Sequence, residues 1–94
     1  MNGTQQPYND AELKKLAEHK KWFESLSGFT CIACSMARPK KLFGRFGVFR
    51  PNRKYTKIEL PITYILCKEC NGLPEGVVYE RTETWLVDHK KIEL

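Results

Sequence analysis

Four cysteines carry the clearest chemistry in this chain. They form two Cys-x-x-Cys pairs, Cys31-Ile32-Ala33-Cys34 and Cys67-Lys68-Glu69-Cys70, separated by 32 residues. A two-residue gap lets the backbone curl so that both sulfurs of a pair face one point. Two such turns brought together supply four thiolates at tetrahedral corners, about 2.3 Å from a Zn²⁺ ion. All four cysteines are used and none is left over. The expected cofactor is therefore one structural Zn²⁺ held by Cys31, Cys34, Cys67 and Cys70. Four thiolates around a divalent cation leave excess negative charge, which favours nearby N–H donors and cations. Arg38 and Lys68 stand close in sequence.

Other chemistries use the same residues. Cys-x-x-Cys is also a redox motif, but thioredoxin-like use needs it to open a helix in a βαβ unit. Gly72 and Pro74 oppose a helix directly after Cys70. Iron takes the same ligand set, yet rubredoxins usually place Gly after the second cysteine of each turn, where Ser35 and Asn71 stand here. Two disulfides would need an oxidising compartment. Met1 to Asn9 is polar, with no apolar segment of a secretory signal, and no apolar run has membrane-spanning length. The expectation is the cytoplasm (cytosol or nucleoid), where thiols stay reduced and bind metal.

The second chemical signal is charge. The net charge is +5, and its distribution is uneven. Between Ser35 and Ile58 there is no acid, but there are eight of the sixteen cations: Arg38, Lys40, Lys41, Arg45, Arg50, Arg53, Lys54 and Lys57. The rest of the chain holds eight cations and eleven acids, a net of −3. Phe43, Phe46, Phe49 and Tyr55 are interleaved with these cations. Cations contact phosphates and aromatic faces stack on unpaired bases, so the eight cations form a candidate nucleic-acid-binding set. The plainer alternative is a solvated basic face over a phenylalanine core.

These groups must be positioned by one small domain, since 94 residues allow no more. Such a domain often needs a staple. A tail at residues 1–9 is expected to be flexible. The single domain spans 10–94, with a helical part at 10–27 and a zinc-binding β region, carrying all four cysteines, at 28–94. Asn9 and Glu12 form a capping box for a helix from Asp10 to Leu26. Leu13, Leu16, Ala17, Phe23 and Leu26 recur at helical spacing as its buried stripe. Gly28 would end the helix in a left-handed conformation. His19, among lysines, reads as solvated.

Phe29-Thr30 leads into Cys31 as a short strand. Ile58, Leu60, Ile62, Tyr64 and Leu66 alternate with Glu59, Pro61, Thr63 and Ile65, the period of a half-buried strand; Pro61 implies an edge or a bulge. Arg50-Pro51-Asn52-Arg53 reads as a turn joining Phe46–Phe49 to Tyr55–Leu60. Val77 to Val87 is rich in Val, Thr, Tyr and Trp and reads as strand.

The result is a small α+β fold, an N-terminal helix on an antiparallel sheet. Over residues 28–88 the two cysteine turns with a hairpin insertion resemble the zinc-ribbon class. The treble-clef class is the alternative, and it would place the second pair at the start of a helix. Val87-Asp88-His89-Lys90 looks like the Asp-His step of HNH nucleases, but it follows both pairs instead of lying between them, and reads as surface. With no catalytic constellation, the expected role is a non-enzymatic accessory protein contacting nucleic acid. The alternative is an adaptor or inhibitor docking on an acidic protein surface.

Overall fold

The computed structural model describes residues 8–94; for residues 1–7 the expected tail lies outside the described residues. The fold is a small α+β one, with two helices and two two-stranded antiparallel sheets. Helix α1 spans Asp10–Glu24, and strands β1 and β2 span Gly28–Thr30 and Ala37–Pro39. Strands β3 and β4 span Phe43–Phe49 and Ile62–Cys67, and helix α2 spans Glu75–Asp88.

Helix α1 begins where the capping box requires. The Asn9 side chain accepts from the Glu12 N–H at 2.8 Å, and Glu12 accepts from the Asn9 N–H at 3.0 Å. The inward face, however, is offset from the expected stripe. Glu12 is buried, Leu16, His19, Phe23 and Leu26 are half-buried, and Leu13 and Ala17 are exposed. The offset follows from Glu12, which the capping box and an ion pair with Arg50 at 3.0 Å turn toward the sheet. His19 is carried inward with that face. It bonds Thr63 Oγ1 at 2.8 Å and packs on Phe46 with centroids 5.2 Å apart. Burial, then the charge of Lys15, holds its pKa below the ordinary value. Gly28 does not terminate the helix. Ser25 is the C-cap, and Gly28 opens β1, where a Cβ would lie 2.6 Å from the Arg38 carbonyl oxygen of β2.

The central hairpin also differs from expectation. Phe46–Phe49 pairs with Ile62–Ile65 (Phe49 opposite Ile62, Phe46 opposite Ile65), and residues 50–61 form the connection. Register is set by packing rather than by the proline turn. Phe46 packs on His19 and Phe23 of α1, whereas Phe49 stacks on Tyr79 of α2 with centroids 5.0 Å apart. The alternating faces of the hairpin thus meet different helices. Gly47 is needed because a Cβ there would overlap the Tyr64 ring. The 50–61 connection is tied down at Lys57, which pairs with Glu93, while the adjacent Ile92 is 1% exposed.

Val77 to Val87 is helix, not strand. Val78, Thr82 and Leu86, four apart, are the residues α2 buries. This 3.6-residue period overrides the β preference of Val, Thr, Tyr and Trp, which reflects packing context more than backbone preference. Pro74 permits the helix because it stands at the N-cap, with its carbonyl accepting from the Val77 and Val78 N–H groups. A helix therefore follows the second cysteine pair, but only after a 3₁₀ turn at Cys70–Gly72 and with its N-cap at Pro74, so the pair does not open it. The small α+β fold is consistent with the zinc-ribbon-like expectation. At the other end Lys90 adopts φ 58°, and the Lys91 N–H closes on the Leu86 carbonyl at 2.8 Å.

Candidate metal centre

Each cysteine pair is shaped by short main-chain bonds. In the first, β1 and β2 bring the ends of the turn together. The Cys31 N–H donates to the Met36 carbonyl at 3.1 Å, and the Ser35 N–H donates to the Cys31 carbonyl at 2.8 Å. Ser35 has φ 59°, the left-handed region. The second pair follows β4. The Lys68 N–H donates to the Leu42 carbonyl at 2.8 Å, and Gly44 lies so close that a Cβ would sit 2.7 Å from the Cys67 carbonyl oxygen. The pairing shifts register between Phe43 and Arg45, which accommodates Gly44 against Cys67. Finally the Ile32 N–H bonds the Ile65 carbonyl at 3.0 Å, locking the first turn beside the second.

These elements bring the four predicted ligands together. The Sγ atoms of Cys31, Cys34, Cys67 and Cys70 all lie within 4.8 Å of one another. Tetrahedral thiolates about 2.3 Å from a shared ion would be separated by ~3.8 Å, so the cluster can hold one metal ion. Cys31, Cys67 and Cys70 are buried, and Cys34 is half-buried. The surroundings fit anionic sulfur. The Cys67 N–H donates to Cys31 Sγ at 3.4 Å, and Arg38 Nη2 approaches Cys34 Sγ at 3.8 Å. Burial pushes the Cys34 thiol up, but donors from the Met36 N–H, Cys31, Arg38 and Cys70 outweigh it and bring it down to about 7. Cys70 is pushed up, first by burial and then by its bonds to neighbouring thiols.

Arg38 joins the two turns. Besides Cys34 it reaches Glu69, between the cysteines of the second pair, at 3.1 Å. Its pKa is raised, first by the bond to Cys34. Lys68, the other sequence candidate for this role, is exposed. The opposite charges of Arg38 and Glu69 beside the cysteines were the available signal for this clamp. The Ser35 conformation left no comparable trace in the sequence.

The eight insertion cations are not one free surface. Arg50 pairs with Glu12 at 3.0 Å, Arg53 with Glu83 at 3.3 Å, and Arg38 with Glu69. Arg45 Nε donates to Asn71 at 2.7 Å, and Lys40 donates to the Glu24 carbonyl at 2.9 Å and lies over the Phe23 ring. Lys41, Lys54 and Lys57 are exposed and, among the described residues, form no ion pair. The interleaved aromatics are packing residues. Phe43 and Phe46 lie 4.8 Å apart within a cluster that includes Phe23, and Phe49 is 3% exposed. Tyr55 donates to Glu83 at 2.6 Å and bonds the Tyr79 hydroxyl at 2.6 Å. Asp88 and His89 sit exposed at the end of α2, with His89 stacked on Trp85.

No helix among the described residues is long and apolar enough to cross a membrane. No protein-family model matches the chain, and comparison with curated proteins and with solved structures finds no match to either.

Proposed function

We propose that this chain is a non-enzymatic accessory protein, stabilised by one structural Zn²⁺, that acts by docking on a protein partner. The convergence of four cysteine sulfurs within 4.8 Å carries the metal reading. An all-thiolate tetrahedral set suits zinc, and four protein ligands leave no open position for water or substrate. Elemental analysis of purified protein should give one zinc per chain. Stoichiometric iron with a coloured protein would refute the zinc assignment.

The choice of partner rests on the internal ion pairs. Glu12, Glu69 and Glu83 come from outside the insertion and neutralise three of its arginines. The uneven charge along the sequence is thus partly consumed in holding the fold. A nucleic-acid reading keeps one specific support, the exposed Lys41, Lys54 and Lys57 on a chain of net charge +5. Two measurements separate the readings. Crosslinking in the native host followed by co-purification should return a protein partner. A shift assay with random DNA and RNA at low salt should show weak binding; tight binding that falls steeply with salt and is lost on joint Lys41→Glu, Lys54→Glu and Lys57→Glu substitution would favour nucleic acid. Charge reversal at Arg45 or Arg53 is a poorer test, because both side chains have internal partners.

A further inference from the structure

We infer that the outer edge of β4 is a docking slot for an extended segment of the partner protein, a strand that carries an apolar residue and an acidic one. The inference rests on the protein-docking reading above and names its site. Among the described residues, strand β4 pairs with β3 on one side only. On the other side the Ile65 carbonyl is taken by the Ile32 N–H. Main-chain groups alternate in direction along an antiparallel strand, so the N–H and carbonyl of Thr63 point outward as those of Ile65 do. Among the described residues, no main-chain hydrogen bond outside the β3–β4 pair reaches Thr63. An unpaired strand edge is a template for another strand.

Space lies beside that edge. Ile62, Thr63, Tyr64 and Ile65 all line one hollow of about 220 Å³, together with Trp22 of α1 and Trp85 of α2. Successive strand residues face opposite ways, so four in a row can border one space only along the edge. A second hollow of about 450 Å³ shares Ile62, Thr63 and Trp85 and extends to Lys15, Glu59 and Lys91. Its lining thus holds two lysines and one glutamate, and none of the three is in an ion pair among the described residues. The main-chain groups of Thr63 call for a backbone, the two tryptophans for an apolar side chain, and the lysines for a carboxylate. Trp22, which borders the smaller hollow, is 55% exposed.

The probe is a phage-displayed library of short random peptides, selected on zinc-loaded protein and mapped by NMR and amide hydrogen exchange. Enriched peptides should alternate apolar and polar residues and contain Asp or Glu. They should shift both tryptophan indoles and slow Thr63 amide exchange by about tenfold or more. Thr63→Pro removes the outward N–H at a position where β4 makes no inward bond, and should weaken binding by about tenfold or more. Lys15→Glu with Lys91→Glu, which leaves the main chain untouched, should turn selection toward basic peptides. This pair keeps the inference testable if the proline variant does not fold. Peptides that bind while leaving Thr63 exchange unchanged would overturn the slot and leave protein docking standing. A library that yields no binder would also overturn it, and if crosslinking then returned no protein either, the docking reading would fall too. A concentration-dependent dimer abolished by Thr63→Pro would give the edge to a second copy and overturn the foreign segment.

Discussion

The molecule has two cores, and only one of them contains sulfur. The first gathers all four cysteines with Phe29, Ile32, Ile65, Leu66 and Val78. The second is built on Phe49, Leu86 and Ile92, with Tyr55 and Tyr79 packed at its side. In the first, four cysteine sulfurs converge at one point and could hold a metal ion. In the second, apolar packing is locked by a phenol pair, a carboxylate and Arg53. Strand β4 joins them, since Ile65 to Cys67 belong to the first core and Ile62 packs on the second. Trp85 touches both. One core thus carries a candidate metal site and the other ordinary packing, along a shared strand.

Removing the metal is the strongest way to break the comparison. Structural zinc can contribute on the order of 10 kcal/mol or more, comparable with the ~5–15 kcal/mol total stability of a typical domain. Excess chelator, or Cys67→Ser, should therefore abolish the cooperative melt of the whole domain. Because β4 is shared, NMR signals of Tyr79 and Ile92 should collapse together with those of Phe29. Persistence of the Tyr79 and Ile92 signals in chelator would show that the second core folds alone.

Arg38 tests the first core more gently. Its guanidinium spans Cys34 and Glu69, so Arg38→Met should leave the four ligands in place but loosen their support. Losing such an outer contact typically costs 10–100-fold in metal affinity, or about 1.4–2.7 kcal/mol. Competition with a chromophoric chelator measures it, and an unchanged affinity would make Arg38 a surface residue only. The melting temperature at a fixed metal concentration should fall to match, because metal-binding free energy is folding free energy here.

Tyr55 is the corresponding probe of the second core. Tyr55→Phe removes bonds to Glu83 and Tyr79 and should cost about 1–2 kcal/mol, read as a lower melting temperature of the metal-saturated protein. The phenol has its pKa raised, first by burial and then by the bonds to Glu83 and Tyr79. A raised folded-state value contributes stability that is fully present below the ordinary phenol value of about 10 and lost as pH rises beyond it. The stability gap between wild type and Tyr55→Phe should therefore narrow above pH ~10. A gap that persists at high pH would mean that packing, not the phenol bonds, sets the effect.

The two cores were unequally legible in the sequence. The cysteine cluster could be read because ligand spacing is a local property, set by two short turns that each contain their own geometry. The capping box of α1 was local in the same sense. The second core depends on partners far apart in the chain. Tyr55 meets Tyr79 and Glu83, and Lys57 meets Glu93; nothing in the segment around Tyr55 encodes those partners. The internal pairing of the basic insertion was illegible for the same reason, because its acids arrive from α1, the second turn and α2. Residues 77–87 misled differently. Their composition favours strands, while the period of Val78, Thr82 and Leu86 favours a helix, and burial decided in favour of period.

The finest test compares one backbone position in each core. Ser35 at φ 59° and Lys90 at φ 58° are non-glycine residues in the left-handed region. That conformation costs an ordinary residue about 1–2 kcal/mol, and glycine escapes the cost but loses more chain entropy on folding. The balance favours Ser35→Gly and Lys90→Gly by up to about 1 kcal/mol each. Both gains should raise the melting temperature of metal-saturated protein. Ser35 shapes the turn that presents Cys31 and Cys34, and Lys90 closes α2 over Leu86. Because metal binding is coupled to folding of the whole domain, each gain should also tighten apparent metal binding by up to a few-fold. If Lys90→Gly raises the melting temperature but leaves metal affinity alone, the second core stays folded without metal, and the joint collapse expected in chelator is wrong.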